Sequence, residues 1–308
     1  MKDGNRKVRI QLFHLCSSVL ICGLILIFGC QPKAQERKRY TGPTETMSEV
    51  VRAINQNNQR LPTLFASIRQ LEASIVDDRG RRHTEVLGGR LLYRAPNEVL
   101  VIGHKPLAGD VVRLGSNDEQ YWLVTTVGPD TAWWGWYRHL GKPCAQPIPI
   151  RPDLVLEVLG ISTINEDFNA LPVPVMRYNS EADAYMFIWN AKLPDRWIAI
   201  KEVWYDRATK RPTRVALFDA NGRPVLHALL SRHKPVPLED VPESDWPVIA
   251  GVYRLYFPDS GSRLTLEVGD VALQSSTRVP APNDRSFVFN PGTTGASKVI
   301  QLDEGCGD

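Results

Sequence analysis

Histidine, cysteine and paired carboxylates are the groups through which this chain could do covalent or metal chemistry, and they stand apart from one another. The chain has 308 residues, with five cysteines and six histidines. His83, His104, His139, His227 and His233 are scattered, with no H-E-x-x-H or C-x-x-C spacing to gather a metal ion. His139 and Cys144 could act as base and nucleophile, but the same spacing fits a loop histidine near a structural cysteine. Glu166 and Asp167 are adjacent, so their carboxylates do not converge on one substrate atom. The G-x-S-x-G, G-x-x-x-x-G-K and G-x-G-x-x-G motifs are absent. These residues predict a protein that binds without catalysing: no enzyme, no metal site, no cofactor.

Cys30 carries the clearest chemical signal. Lys2, Arg6, Lys7 and Arg9 precede a ten-residue apolar run, 19–28, and Gly29 then stands before the thiol. A charged head, a short apolar core and a small residue at the cut make a secretory signal. With cysteine at the cut, the pattern resembles a bacterial lipobox, in which that thiol is acylated. An uncleaved anchor helix is the competing reading, but a span needs about 20 apolar residues. Extending the run back to Ile10 would place Gln11, His14, Ser17 and Ser18 in hydrocarbon. Export with lipidation is therefore expected, and two acyl chains would hold the protein stably. The expected organisation is a signal over 1–29, a polar tether over 30–45 and one folded domain over 46–308.

The signal also accounts for the charge. The whole chain carries a net charge of +3, and the first 29 residues hold all of it. The exported remainder is neutral overall and has no electrostatic footprint for nucleic acid. Cys16 and Cys22 leave with the signal, so Cys144 and Cys306 remain. An oxidising compartment would let them pair, and two free thiols are the alternative.

Aromatic side chains are dense where catalytic ones are sparse. Trp122, Trp133, Trp134, Trp136 and Tyr137 form one group; Trp189, Trp197, Trp204 and Tyr205 form a second. Strand alternation puts Trp134 and Trp136 on one face and Trp133 and Tyr137 on the other. Tryptophan is a natural filler between a sheet and helices, so core packing explains any one of them. The sharper expectation is an apolar groove lined by Leu91, Tyr93, Trp122, Trp134 and Trp136.

Met47, Val50, Val51 and Ile54 recur at helical spacing, with Thr46 or Ser48 as N-cap and Pro62 beyond the end. Short β-branched and aromatic runs follow at 89–94, 98–102, 111–114, 120–127 and 131–137. Further runs fall at 173–178, 184–189, 197–205, 213–218, 224–230, 252–257, 263–268, 286–289 and 298–302. A second helix is expected over 152–159, with Asp153 in its first turn and Gly160 as its stop. Asn221-Gly222 is a strong hairpin turn signal. Arg79, Arg81 and Arg82 surround Gly80 in a stretch that reads as a solvated hairpin tip, with phosphate contact as the functional alternative. Many strands and few helices predict a mainly β (α+β) fold, one antiparallel sheet curled around the helices. Strands between Val86 and Trp136 are apolar on both faces, which suits a second apolar layer behind the sheet.

The ordered pieces resemble the LolA/LolB-like family of lipoprotein carriers. They are Leu61-Pro62-Thr63-Leu64 after the first helix with a strand over 65–76, Gly89-Arg90-Leu91-Leu92-Tyr93-Arg94-Ala95-Pro96-Asn97, and 116–122 with its Ser-Asn-Asp-Glu-Gln-Tyr-Trp run. Trp204-Tyr205-Asp206 through Asp219-Ala220-Asn221-Gly222 and Phe287-Val288-Phe289-Asn290-Pro291 complete the order. The resemblance implies a strongly curved half-barrel sheet whose concave face is covered by helices and takes acyl chains of a lipid or lipoprotein. It also implies an envelope location, with Gln31 after Cys30 favouring the periplasmic face of the outer membrane. One departure is Ala95, which stands where the soluble carrier has a lid-holding arginine; Arg94 would point to the opposite face. A signalling module of the RseB type, restraining a membrane-protein partner, uses the same fold and is the alternative. A structural envelope lipoprotein is a third reading.

Overall fold

Thr46 opens the first helix, α1 (Met47–Asn58), through a capping box with Glu49. The Thr46 N–H donates to the Glu49 carboxylate at 2.8 Å, and the Glu49 N–H donates back to Thr46 Oγ1. Thr46, not Ser48, is the cap. The computed structural model describes residues 40–77, 79–128, 130–273 and 284–307. The expected signal, Cys30 and all but the end of the tether lie outside the described residues.

After α1 the chain runs as a meander of six strands. These are β1 (Thr63–Val76), β2 (Arg82–Arg94), β3 (Glu98–Lys105), β4 (Gly109–Ser116), β5 (Gln120–Thr125) and β6 (Thr131–Trp136). The second helix, α2 (Pro152–Val158), starts on proline, whose missing N–H costs nothing there. Five more strands follow: β7 (Val173–Asn179), β8 (Ala184–Lys192), β9 (Trp197–Asp206), β10 (Pro212–Phe218) and β11 (Pro224–Ser231). A small pair, β12 (Lys234–Pro235) with β13 (Val248–Ile249), precedes β14 (Val252–Phe257), β15 (Ser262–Ala272) and β16 (Lys298–Gln301).

Fourteen of these strands make one curved, open sheet, in the order β16-β6-β5-β4-β3-β2-β1-β15-β14-β11-β10-β9-β8-β7. All its pairs are antiparallel except β16 with β6. The late strand β15 lies beside β1, with Leu71 opposite Leu266, and this seam joins the first meander to the second. Asn221-Gly222 does make the β10–β11 turn, where Gly222 takes a φ of +74° that a side chain would disfavour.

The alternation of each strand divides the sheet into two apolar faces. The concave face carries Leu64, Leu71, Leu91, Tyr93, Leu123, Phe187, Val203, Val215, Leu255 and Leu266, packed against Val50, Val51 and Ile54 of α1 and Leu154 and Val155 of α2. The convex face of β1–β6 carries a separate cluster of Phe65, Leu92, Leu100, Ile102, Trp122, Val124 and Ala132. Segment 284–297 covers this second cluster. Its Phe287 is 1% exposed, and Phe289 stacks on Trp122 at 5.2 Å between ring centroids.

Two expected strands come out differently. The run at 89–94 is the end of β2, which starts at Arg82, because Arg82 to Leu87 pair with β1 although few of them are apolar. The run at 286–289 makes no strand: Asp284–Phe287 is a 3-10 turn, and its aromatics pack sideways onto the convex face instead of joining a ladder.

The C-terminus is fastened to the β6 edge. Cys144 and Cys306 form a disulfide with Cα atoms 5.3 Å apart. Beside it, buried Asp303 accepts from the Trp136 N–H at 2.8 Å and lies 3.0 Å from His139 Nδ1. The Leu302 N–H donates to the Trp134 carbonyl, which extends the β16–β6 pairing by one bond.

Candidate functional site

A cavity of about 480 Å³ opens on the concave face, between β8–β10 and the chain that leaves α2. Its wall comes from strand pairing. Trp189 of β8 stands opposite Lys201 of β9, which stands opposite Leu217 of β10; one step along, Val203 lies between Phe187 and Val215. Trp189, Val203, Val215 and Leu217 therefore present apolar surface to one space, closed at its end by Tyr205. Phe187 stacks on Trp189 at 5.8 Å and meets Tyr205 edge-on at 5.6 Å, which fixes these rings without filling the cavity. Burial pushes the Tyr205 hydroxyl pKa up, with the Glu157 carboxylate adding to the effect, so the wall stays neutral.

The roof is α2 and residues 160–172, and α1 holds it in place. Asn55, buried among the apolar residues of α1, bonds Ile164 twice: its amide donates to the Ile164 carbonyl at 2.9 Å, and its oxygen accepts the Ile164 N–H at 2.8 Å. Asn58 donates to the carbonyls of Gly160 and Ser162. Irregular backbone laid over an apolar core needs such partners, because an unmatched buried N–H or C=O costs about 1–3 kcal/mol. At the mouth Lys201 donates to Glu157 of α2 at 2.6 Å and sits 4.9 Å from the Trp189 ring centroid. Leu171 stands 59% exposed at the same opening. The arrangement sets an apolar strand wall against a roof that includes polar Ser162, Thr163 and Asn165, with the Lys201–Glu157 pair at the rim. Among the described residues no group of three or more His, Cys, Asp or Glu could hold a metal ion.

The five residues expected to line one groove do not come together. Leu91 and Tyr93 are buried in the concave core, while Trp122 and Trp134 belong with the convex cluster. The register explains the division: Trp122 stands opposite Trp134, and both face away from Leu123. Trp136 lies on the convex side too, edge-on to Trp134 at 5.8 Å. None of the five lines the concave cavity, which draws instead on Trp189 and Tyr205 of the second aromatic group. Arg94 turns away from Tyr93 to stand over Phe287, 5.2 Å from the ring centroid, and pairs with Glu98. The hairpin tip is organised from within, with the Asp77 carboxylate accepting from the N–H groups of Arg79 and Arg81. Sequence reasoning missed Asn55 and Asn58. Their signal is position: both continue the stripe of Val51 and Ile54 at helical spacing, where a polar residue must find a buried partner.

No family model and no curated protein sequence matches the chain. Among solved structures, it is similar to a domain named for outer-membrane lipoprotein sorting from Vibrio parahaemolyticus, at 12% identity and a TM-score of 0.47, over 78% of this chain and 95% of that one. It is similar to a LolA superfamily protein from Nitrosomonas europaea at 11% identity and a TM-score of 0.43, over 80% of this chain and 99% of that one. A DUF1329 family protein from Desulfovibrio piger gives 11% identity and a TM-score of 0.47, over 80% and 98% of the two chains.

Proposed function

We propose that this protein is exported, acylated at Cys30 and held at the periplasmic face of the outer membrane, where its concave cavity takes an acyl chain of a lipid or lipoprotein for carriage or reception. The observation that carries this reading is the cavity between the apolar wall of β8–β10 and the α2 roof, about 480 Å³ and open at Leu171. That volume lies within the usual range for ligand sites, about 300–1,000 Å³. Each methylene buried there contributes roughly 0.8 kcal/mol, so a chain of several carbons binds without any covalent step. The test uses the full-length chain expressed with its signal. Wild type should incorporate labelled palmitate and Cys30→Ser should not. Native mass spectrometry of the Cys30→Ser protein should show a lipid adduct that Val203→Trp, which fills the cavity, removes. A clean unliganded mass after incubation with lipid vesicles would count against the reading.

A sensor that binds a membrane-protein partner is the second reading. The observation favouring it is β7, an outer strand of the sheet with Val175 50% exposed. A partner strand can add to such an edge. Co-purification of an envelope protein that a Val175→Lys variant abolishes, with no lipid bound, would select it.

A further inference from the structure

The second cavity lies on the opposite face of the sheet and has a different chemistry. Strand register sets Arg90 of β2 opposite Ile102 of β3, Ile102 opposite Arg113 of β4, and Arg113 opposite Val124 of β5. The row alternates guanidinium and hydrocarbon across four strands on the convex side. Leu100 and Trp122 extend the apolar floor in the next row. Segment 284–297 crosses above them, and Arg285, Phe289 and Thr294 complete a space of about 230 Å³.

Among the described residues, three guanidiniums and one carboxylate, Asp110, face this space. Asp110 lies 3.5 Å from His104 at the edge of this space. Gathering like charges around one small volume is unfavourable unless an anion enters it. Arg113 donates one N–H to the Thr294 carbonyl at 3.0 Å, which orients its plane and leaves further donors of the fork for a ligand. Arg90 and Arg285 are exposed at the rim. Beneath them Leu100, Ile102, Trp122 and Val124 are all buried hydrocarbon or ring. Cations above an apolar floor match a ligand with both characters.

We infer that this convex cavity is a second binding site, for a small anionic amphiphile whose single carboxylate or phosphate meets Arg90, Arg113 and Arg285 while a short apolar body rests on Ile102 and Val124 beside the Trp122–Phe289 stack. Its volume is below the usual range for drug-sized ligands, which excludes a two-chain lipid body and admits a headgroup with a few carbons. The site is independent of the acyl cavity: the β-sheet separates them, and no described residue lines both.

The test is calorimetric titration of the full chain, and of its variants, with hexyl phosphate, hexanoate, hexanol and inorganic phosphate. Both hexyl anions should bind, and hexanol and inorganic phosphate should each bind at least about tenfold more weakly. Arg90→Gln and Arg113→Gln should each weaken the anions by at least about tenfold, the loss expected for one charge-assisted hydrogen bond. Arg90 is exposed, so its variant keeps the test valid if Arg113→Gln unfolds the protein. Val203→Trp, which blocks the concave cavity, should leave hexyl phosphate binding unchanged; loss of binding there would assign the ligand to the acyl cavity and overturn the inference. Equal binding of hexanol, or of inorganic phosphate, would also overturn it. Phosphatidylglycerol vesicles distinguish the source of the anion: vesicle binding lost in Arg90→Gln points to a lipid headgroup, and hexyl phosphate binding without vesicle binding points to a free metabolite.

Discussion

Trp189 and Trp122 are the same residue in the same setting, mid-strand in one sheet, and their surroundings differ completely. Trp189 faces the concave side, where the roof stands off from the sheet and leaves open volume. Trp122 faces the convex side, where Phe289 stacks on its ring and Gly115 lies beneath it. A Cβ at Gly115 would stand 2.5 Å from the indole, so the strand itself is shaped to receive that ring. Aromatic density by itself therefore does not mark the face that holds the larger cavity. What decides is whether a later segment of the chain supplies the side chain that fills the space.

The largest effect should come from removing that filling. Phe287→Ala deletes a fully buried ring from the convex cover and should cost about 3–5 kcal/mol in urea unfolding, as for other buried phenylalanines. A loss below about 1 kcal/mol would show that the cover is loose and would erase the contrast. The disulfide comes next. Replacing Cys144 and Cys306 by serine opens a long loop and should cost about 2–5 kcal/mol. Hydrogen exchange should then rise in β16 and 284–297 and stay low in β8–β10; a uniform rise would contradict separate fastening of the two faces.

Asn55→Ala attacks the other face. It strands the Ile164 N–H and carbonyl and should cost about 1–3 kcal/mol, with faster exchange of the Ile164 amide. Acid should instead loosen the β6 edge, where the C-terminus is fastened. Burial alone would raise the Asp303 pKa, but donation from the Trp136 N–H, the Gln301 amide and the His139 ring outweighs it, and the folded value is lowered. The stability this gives is present above the ordinary aspartate pKa, about 3.9, and is lost as pH falls through the lowered folded value. Exchange at Trp136 should rise in that window, and Asp303→Asn should remove the pH dependence. The smallest effect is expected for Glu157→Gln, whose half-exposed pair with Lys201 is worth under about 1 kcal/mol. Its signature should be quicker exchange of an acyl ligand with stability nearly unchanged.

Local chemistry is legible in the sequence, and pairing across distance is not. Thr46, Pro62, Asn221-Gly222 and the apolar periodicity each act over a few residues, so the residues alone place the helices and most strands. The two-sided burial of β2–β6 is also visible there, because Leu91-Leu92 and Leu100 to Ile102 leave no polar face. Which face each tryptophan takes depends on its cross-strand partners. Trp122 fits the expected groove by composition, yet its partner Trp134 turns with it to the convex side. Phe287 and Phe289 have the period-2 spacing of a strand, and only the Trp122 ring they meet shows why they leave it. Asn55 has the composition of an ordinary helix residue, since the carbonyl it serves lies 109 positions along the chain.

The seam between β1 and β15 also sets the order in which this protein can assemble. Leu71 meets Leu266 only after nearly the whole chain has emerged, so the entropic cost of closing that loop falls at the end. Until then β1 and β14 are bare edges, open to pairing with other chains. A chain truncated after Phe257 would keep both edges and should aggregate instead of folding as half a sheet. The strands made first therefore wait for β15 before these edges are covered, and topology of this long range folds slowly.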